Sequence, residues 1–235
     1  EVIFTDEIKP AFAEVIDIDA DSDGGVVAWT ENDGTVMKVS TQIKDIKVQA
    51  AVKSKSNGMF YEKSKIKKID LKMLDISNVT MMGSMFERCS GLTSLDLTGL
   101  DTSNVTNMDS MFCGCSGLTN LDLTPLDTSK VITMDSMFEG CSGLTSLDLA
   151  PLDTSNVGYM NDMFNSCSGL TTIDLSPLNT TNVTSMYQMF FGCSGLTSLD
   201  LTPLNTSKVR NMKSMFDGCS SLTTLITGSK FKFVD

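Results

Sequence analysis

Cysteine is the residue of this chain with the widest chemistry, because a thiolate can bind a metal, form a disulfide or attack as a nucleophile. Six of the seven cysteines recur at intervals of 26 residues: Cys89, Cys115, Cys141, Cys167, Cys193 and Cys219. Equal intervals place these thiols in a line, whereas zinc ligands must converge on a point. Each one also completes an apolar face with a Met-Phe pair. The sequence therefore favours buried, packed thiols over a metal site or disulfides.

The seventh cysteine, Cys113, stands where other repeats have Glu, Asn, Phe or Asp. We expect it to face solvent, where an unpaired thiol is a candidate for intermolecular pairing.

Acid–base catalysis is disfavoured because the chain contains no histidine. This absence removes the commonest general base and every Ser-His or Cys-His arrangement. A pair of carboxylates of the glycosidase type is weakly supported, since acids repeated in every unit are not specialised as one acid and one base. The sequence predicts that the chain is not an enzyme.

Calcium is the one cofactor that the sequence offers. Asp19, Asp21 and Asp23, followed by Gly24, match the opening of a calcium-binding loop. The twelfth position should be a bidentate Glu and is Thr30 instead. The alternative is a solvated turn without a metal.

A row of aspartates forms a secondary candidate face. Its members recur between two Leu or Ile residues: Asp70, Asp96, Asp122, Asp148, Asp174 and Asp200. Stacked carboxylates ~4.8 Å apart repel by ~0.9 kcal/mol per pair even in water. Solvent and neighbouring hydroxyls would relieve this repulsion, or else the row is a surface for a cationic ligand.

A second acidic position changes along the chain. It is Asp in four repeats and becomes Asn179 and Asn205 in the last two. Asn keeps the acceptor oxygen and loses the charge, so this position needs a turn hydrogen bond rather than a carboxylate.

The elements that carry these residues follow from one repeat. Leu118, Leu121 and Leu123 have the spacing of a short strand that points leucines inward, and a turn at Pro125 ends the strand. Met134, Met137, Phe138 and Cys141 then lie on one face of two helical turns, and Gly143 stands where a helix stops. The predicted fold class is a leucine-rich-repeat solenoid of short parallel strands and short helical or 3-10 turns in 26-residue repeats.

The array is expected to occupy residues 53–235, as one half-repeat, six full repeats and a short tail. Residues 1–52 do not repeat, and an Asp33-Gly34 turn between two alternating segments predicts an N-terminal β-hairpin cap with Trp29 in its core. The cap should cover the apolar end of the first repeat.

Charge and hydropathy limit the partners. Residues 73–235 carry seven basic against sixteen acidic side chains, which disfavours nucleic acid. No apolar run approaches the ~20 residues that span a bilayer, and any export leader is expected to have been removed or to lie outside this sequence. We expect a monomer without a membrane span.

The repeated string LDTSNVTNMDSMFCGCSGLTNLDL and the preceding GGVVAWTENDGTVMKVS resemble the BspA-like leucine-rich-repeat surface proteins of gut and oral bacteria and mycoplasmas. The resemblance covers residues 53–227. It implies an exported protein, tethered to the bacterial wall or membrane, that attaches to host matrix, epithelium or other microbes. It supplies no catalytic residues.

Aromatic side chains replace small or charged residues in the fourth and fifth full repeats. The candidate ligand-binding residues there are Tyr159, Asn161, Asn165, Tyr187 and Phe191. Rings flanked by amides suit recognition of proteins or glycans. Scattered exposed aromatics, or packing of Phe191 under its loop, are the alternative. The leading function is therefore adhesion through a surface ligand, and the alternative is a spacer that displays other domains.

Overall fold

The computed structural model describes residues 2–5, 7, 16–17, 27–31, 36–40, 48–49 and 58–234. Nine strands lie in these residues: β1 (Val2–Phe4), β2 (Ile16–Asp17), β3 (Val27–Glu31), β4 (Val36–Ser40), β5 (Val48–Gln49), β6 (Ile69–Asp70), β7 (Leu74–Asp75), β8 (Ser198–Asp200) and β9 (Thr224–Ile226). The described part of the chain holds no helix that could cross a membrane.

The N-terminal strands form a sheet of order β2-β3-β4-β1-β6. β3 and β4 pair antiparallel, as the hairpin prediction requires, although the turn between them lies outside the described residues. β1 pairs in parallel with both β4 and β6, so the N-terminal sheet continues into the first unit of the array. β5 pairs in parallel with β7. The side chain of Trp29 lies outside what the structure describes, and the boundary near residue 52 stays a prediction.

A stack of phenylalanines runs through the array. Neighbouring rings lie 5.4–6.0 Å apart between centroids and within 13° of parallel. The stack consists of Phe60, Phe86, Phe112, Phe138, Phe164, Phe190 and Phe216. These separations suit stacked aromatic pairs. Equivalent residues of successive repeats lie in register around one continuous apolar core of Leu, Met, Val, Phe and Cys side chains, an arrangement that fits a repeat solenoid.

The predicted helical or 3-10 segment is wrong. Residues 58–234 contain turns, bends and short strands but no helix. The N–H of Met111 donates to Met108 O at 3.2 Å, closing a turn with Ser110 at φ 56°, while the N–H of Phe112 donates to Met137 O of the next repeat at 3.0 Å. A positive φ at the third residue characterises a type II turn. Alternate N–H groups thus bond to the next repeat, which a helix does not allow.

The leucine segments form strands in fewer places than the sequence predicts. Leu121 and Leu123 are buried and Asp122 is exposed, as expected. Among the leucine segments of the full repeats, the described strands are only β8 and β9, paired in parallel 26 residues apart. The N–H of Thr124 donates to the Asp122 carboxylate at 2.9 Å, but the equivalent bond from Thr202 to Asp200 is also present at β8, so this local bond does not account for the missing strands.

Parallel contacts between repeats occur on another face. Isolated parallel bridges join the second residue after each repeated valine, one repeat to the next: Met81, Asn107, Thr133, Tyr159, Ser185 and Asn211. We call the surface that carries these residues and the Met-Phe turns the turn face.

A buried threonine, present in each repeat from Thr102 to Thr206, forms a further ladder that the sequence analysis missed. Thr128 Oγ1 donates to Asp153 O of the next repeat at 3.1 Å and accepts the N–H of Asp153 at 2.8 Å. The same paired bonds recur at Thr102, Thr154 and Thr180. One hydroxyl therefore satisfies two backbone groups of the neighbouring repeat.

Candidate functional site

The position that alternates between Asp and Asn is a turn acceptor, as predicted. Asp101 Oδ1 accepts the N–H of Ser103 at 3.1 Å, and Asn179 Oδ1 accepts the N–H of Thr181 at the same distance. The bond survives the loss of charge. This position is structural.

The aspartate row is satisfied by local donors. From Asp70 to Asp200, each carboxylate accepts the N–H of the residue two places on. Hydrogen bonds from Thr98 lower the pKa of Asp96, and those from Thr124 lower the pKa of Asp122. Hydroxyl and backbone donors thus relieve the row, which agrees with the solvated alternative. A cationic ligand on this row stays a prediction.

Metal binding has no assembled site in the described residues, where no group of three or more Cys, Asp or Glu side chains is arranged to hold an ion. Asp19, Asp21 and Asp23 lie outside those residues, so the calcium loop stays a prediction.

The repeated cysteines are free and packed, and each donates a hydrogen bond. Cys141 Sγ contacts Phe112 O of the preceding repeat at 3.1 Å, and the same contact recurs from Cys89 to Cys219. All seven cysteines are free thiols. Burial raises the pKa of Cys89 to about 11 and that of Cys193 to about 12. The prediction of buried thiols without disulfides is confirmed, except that Cys219 is only partly buried.

Cys113 is less exposed than the sequence predicts. Its side chain is partly buried, and burial together with the Glu139 carboxylate raises its pKa to about 12. A thiol of raised pKa holds little thiolate at neutral pH and is a poor nucleophile.

We therefore expect native protein to react slowly with a thiol reagent at every cysteine, Cys113 included, because the thiolate is the reactive form. Absorbance after adding Ellman's reagent at pH 8 would measure this, with guanidinium-unfolded protein giving the full count of seven thiols. A fast native reaction that disappears in Cys113→Ser would contradict the expectation.

Tyr159 is the best-presented of the candidate ligand-binding residues. Its side chain is 51% exposed, and its backbone is held by parallel bridges to Thr133 and Ser185. The ring therefore projects from a backbone fixed on both sides by neighbouring repeats.

The two candidate asparagines serve the fold. Asn161 Oδ1 accepts the N–H of Tyr187 at 3.1 Å and the hydroxyl of Ser185. Asn165 is only 8% exposed, and its amide is bonded to Asp162 at 2.8 Å and to Ser166 at 2.7 Å. Asn165 therefore does not offer a free amide to a ligand, contrary to expectation.

Tyr187 and Phe191 are both partly buried on the turn face. No helical turn brings them together, because this segment consists of turns. Among the described aromatic residues, no ring contact joins Tyr159, Tyr187 and Phe191. The predicted cluster is thus an exposed Tyr159 with two flanking, less exposed rings.

The sequence analysis missed Ile132, which is 55% exposed one repeat before Gly158. The N–H of Gly158 donates to Ile132 O at 2.9 Å, which places the two residues side by side. A Cβ added to Gly158 would meet only Ile132 O, at 3.8 Å, so the space over the glycine is open. Other repeats carry Thr or Arg in this column, so comparing it would have shown the departure.

Acidic side chains lie beside these apolar residues. Asp109 Oδ1 accepts the Thr133 hydroxyl at 2.5 Å, and Asp135 Oδ1 accepts the N–H of Asn161 at 2.7 Å. Burial raises the pKa of Asp135, and the carboxylates of Asp109 and Asp162 add to that effect. Within the described residues, neither Asp109 nor Asp135 has an ion-pair partner.

Two solved structures are similar to the chain. A leucine-rich repeat protein of T. pallidum is 19% identical, with 94% of this chain and 85% of that chain covered and a TM-score of 0.45. A leucine-rich cell surface protein of Faecalibacterium prausnitzii is 20% identical, with 88% of this chain and 54% of that chain covered and a TM-score of 0.49. The chain thus spans about half the length of the second protein. No curated protein matches its sequence.

One family model matches most of the chain, over residues 35–146 and 144–234. The description of this BspA-like family is "Mycoplasma protein of unknown function, DUF285". The match confirms the resemblance drawn from the repeated strings, and the chain belongs to this family.

Proposed function

We propose that this chain is the ligand-binding ectodomain of an exported bacterial surface protein, that it binds a protein or glycan on a host or microbial surface, and that it catalyses no reaction. The observation that carries the proposal is the exposed Tyr159 ring on a backbone fixed between two neighbouring repeats. A rigid backbone presenting an aromatic anchor loses little entropy when it binds. Membership of the BspA-like family supports the surface location.

The absence of catalysis is supported by the chemistry of the chain. It has no histidine, and the thiols described above have raised pKa values and are largely buried. The repeated aspartates accept the same local bonds in each unit, which leaves no specialised acid and base pair.

A structural spacer is the second candidate. The uniform phenylalanine stack favours it, because a spacer needs only identical, well-packed units. The local departures at Ile132, Gly158 and Tyr159 favour binding, since a spacer has no use for exposed apolar side chains in one region.

The test is a binding screen of the purified chain against immobilised matrix proteins and a glycan array, followed by Tyr159→Ser on any hit. Ser185 occupies the equivalent position one repeat later, so the fold should accept serine. We expect at least a tenfold loss of affinity, about 1.4 kcal/mol, with an unchanged melting temperature. The matched control, Asp122→Asn in the aspartate row, should bind like the wild type.

Two further variants test the other aromatic candidate residues. Tyr187→Asp and Phe191→Glu each introduce the residue type of another repeat, and we expect smaller losses because these rings are partly buried. If no matrix protein or glycan binds, the spacer becomes the better function. If every hit binds the Tyr159→Ser variant as tightly as the wild type, the chain binds a ligand but not through Tyr159, and the observation that carries the proposal is overturned.

A further inference from the structure

An open space one residue wide interrupts the turn face. Thr106 and Thr184 fill the corresponding column with side chains whose hydroxyls donate to carbonyls of the preceding repeat, at 3.1 Å and 3.0 Å. Between them stand Ile132 and then Gly158, which has no side chain. We call Ile132, Gly158 and Tyr159 the notch.

The notch presents two exposed apolar side chains beside an open space. Ile132 is 55% exposed and Tyr159 is 51% exposed, and the space above Gly158 is empty to 3.8 Å. Val157 and Met160 on either side are fully buried, so Gly158 and Tyr159 form an outward corner anchored by the core. An open space next to an aliphatic and an aromatic side chain suits a single apolar side chain better than a polar one.

The surroundings of the notch decide which molecule would carry that side chain. Residues 89–207 contain twelve acidic residues and one basic residue, Lys130. The ammonium of Lys130 bonds Asn104 Oδ1 of the preceding repeat at 2.9 Å. Asp109 bonds the hydroxyl of Thr133, the residue after Ile132, and Asp135 bonds the N–H of Asn161, two residues after Tyr159. No cation pairs with either carboxylate within the described residues.

These carboxylates differ from the aspartate row in their surroundings. Asp122 is exposed and its charge is screened by water, whereas Asp135 is partly buried beside Asp109 and Asp162. A cation brought to a partly buried carboxylate gains more than one brought to a solvated carboxylate, because the local dielectric is lower. Charge complementarity therefore favours a basic partner at this part of the turn face.

We propose that the notch is the docking site for an apolar side chain of a basic protein segment, with flanking lysines or arginines held by Asp109 and Asp135. This inference rests on the proposed binding function and narrows its ligand from a protein or glycan to a cationic polypeptide. Tyr159 contributes its ring face to the apolar side chain and to a neighbouring cation.

Three end-blocked nine-residue peptides with glycine spacers test the inference by fluorescence anisotropy with the full chain. The first has a central leucine flanked by lysines, the second replaces leucine by serine, and the third replaces lysine by glutamate. We expect the lysine–leucine peptide to bind at least fivefold more tightly than the lysine–serine peptide, and the glutamate peptide not to bind. Equal binding of the leucine and serine peptides would overturn the proposal.

Variants of the chain then locate the peptide. Gly158→Thr fills the notch with threonine, the residue found at the equivalent positions 106 and 184. It should weaken binding of the lysine–leucine peptide at least fivefold. Asp109→Asn with Asp135→Asn should do the same, and Asn161 shows that an amide makes the equivalent backbone bond in this column. The matched control, Asp122→Asn with Asp148→Asn, removes the same charge from the aspartate row and should change affinity less than twofold.

The outcomes separate this inference from the proposed function. If the Asp109/Asp135 and Asp122/Asp148 double variants weaken peptide binding equally, the charge attraction is non-specific and the notch proposal is overturned. A screen hit whose binding is lost in Tyr159→Ser would still support the proposed binding function. If a glycan is the hit that requires Tyr159 and the lysine–leucine peptide does not bind, the narrowing to a basic segment is wrong and the proposed function stands.

Discussion

Gly143→Ala is expected to destabilise the chain by about 3 kcal/mol, and thus to lower its melting temperature by about 6–12 °C. An added Cβ would lie 2.5 Å from Ser116 O and 2.6 Å from Leu118 O of the preceding repeat. Both atoms are backbone, so neither can move aside without opening the stack. Thermal unfolding followed by circular dichroism would measure the change.

Gly158→Ala is the matched control for this substitution. Its added Cβ meets only Ile132 O at 3.8 Å, and its φ lies outside the left-handed region. We expect a melting temperature equal to the wild type or slightly higher, because alanine reduces the entropy of the unfolded chain by ~0.4–1 kcal/mol. A Gly143→Ala protein that melts within 1 °C of the wild type would show that the repeats can separate locally.

Gly143 also shows what one sequence can predict about a repeat. Its recurrence was interpreted as a helix stop, which needs a positive φ, yet Gly143 does not have one. The glycine is required by the close approach of the preceding repeat. The distance between Gly143 and the preceding repeat depends on how the units stack, and the residue pattern within one unit does not determine it.

The repeat period and the buried positions were predictable because they do not depend on backbone conformation. Met134, Met137, Phe138 and Cys141 are fully buried as expected. Their spacing fits a helix and equally fits successive turns, so the pattern alone could not choose. Ser136 has φ 54° without being a glycine, which removed the usual turn signal.

The role of a residue in the candidate region was predictable where the repeats exchange one side chain for another that keeps its hydrogen-bond acceptor and loses its charge. The change from Asp to Asn kept the acceptor of a turn and lost its charge, and the hydrogen bonds of Asn179 confirm that interpretation. Asn165 was misjudged because its partner, Asp162, departs from the common serine in the same repeat. Two departures three residues apart indicate a local bonded pair rather than a ligand site.

The threonine ladder leads to the second large effect. Thr154 is 1% exposed, and its hydroxyl donates to Asn179 O at 3.2 Å and accepts the N–H of Asn179 at 2.8 Å. Thr154→Val keeps the shape and removes both bonds. Each buried polar group left without a partner costs ~1–3 kcal/mol, so we expect a total loss of about 2 kcal/mol, allowing for partial access of water to the Asn179 backbone.

This loss corresponds to a melting temperature lower by about 4–8 °C. Thr154→Ser retains the hydroxyl and should lose less than half as much, since only a methyl group is removed at ~0.8 kcal/mol. Thr106→Val is the surface control. The Thr106 hydroxyl donates to Thr80 O at 3.1 Å in a solvent-exposed bond that water can replace, and we expect a change in stability within about 0.5 kcal/mol. If Thr154→Val melts like Thr154→Ser, the hydroxyl contributes nothing beyond packing, and the stability of the stack rests on the apolar core and the backbone bonds of the turn face.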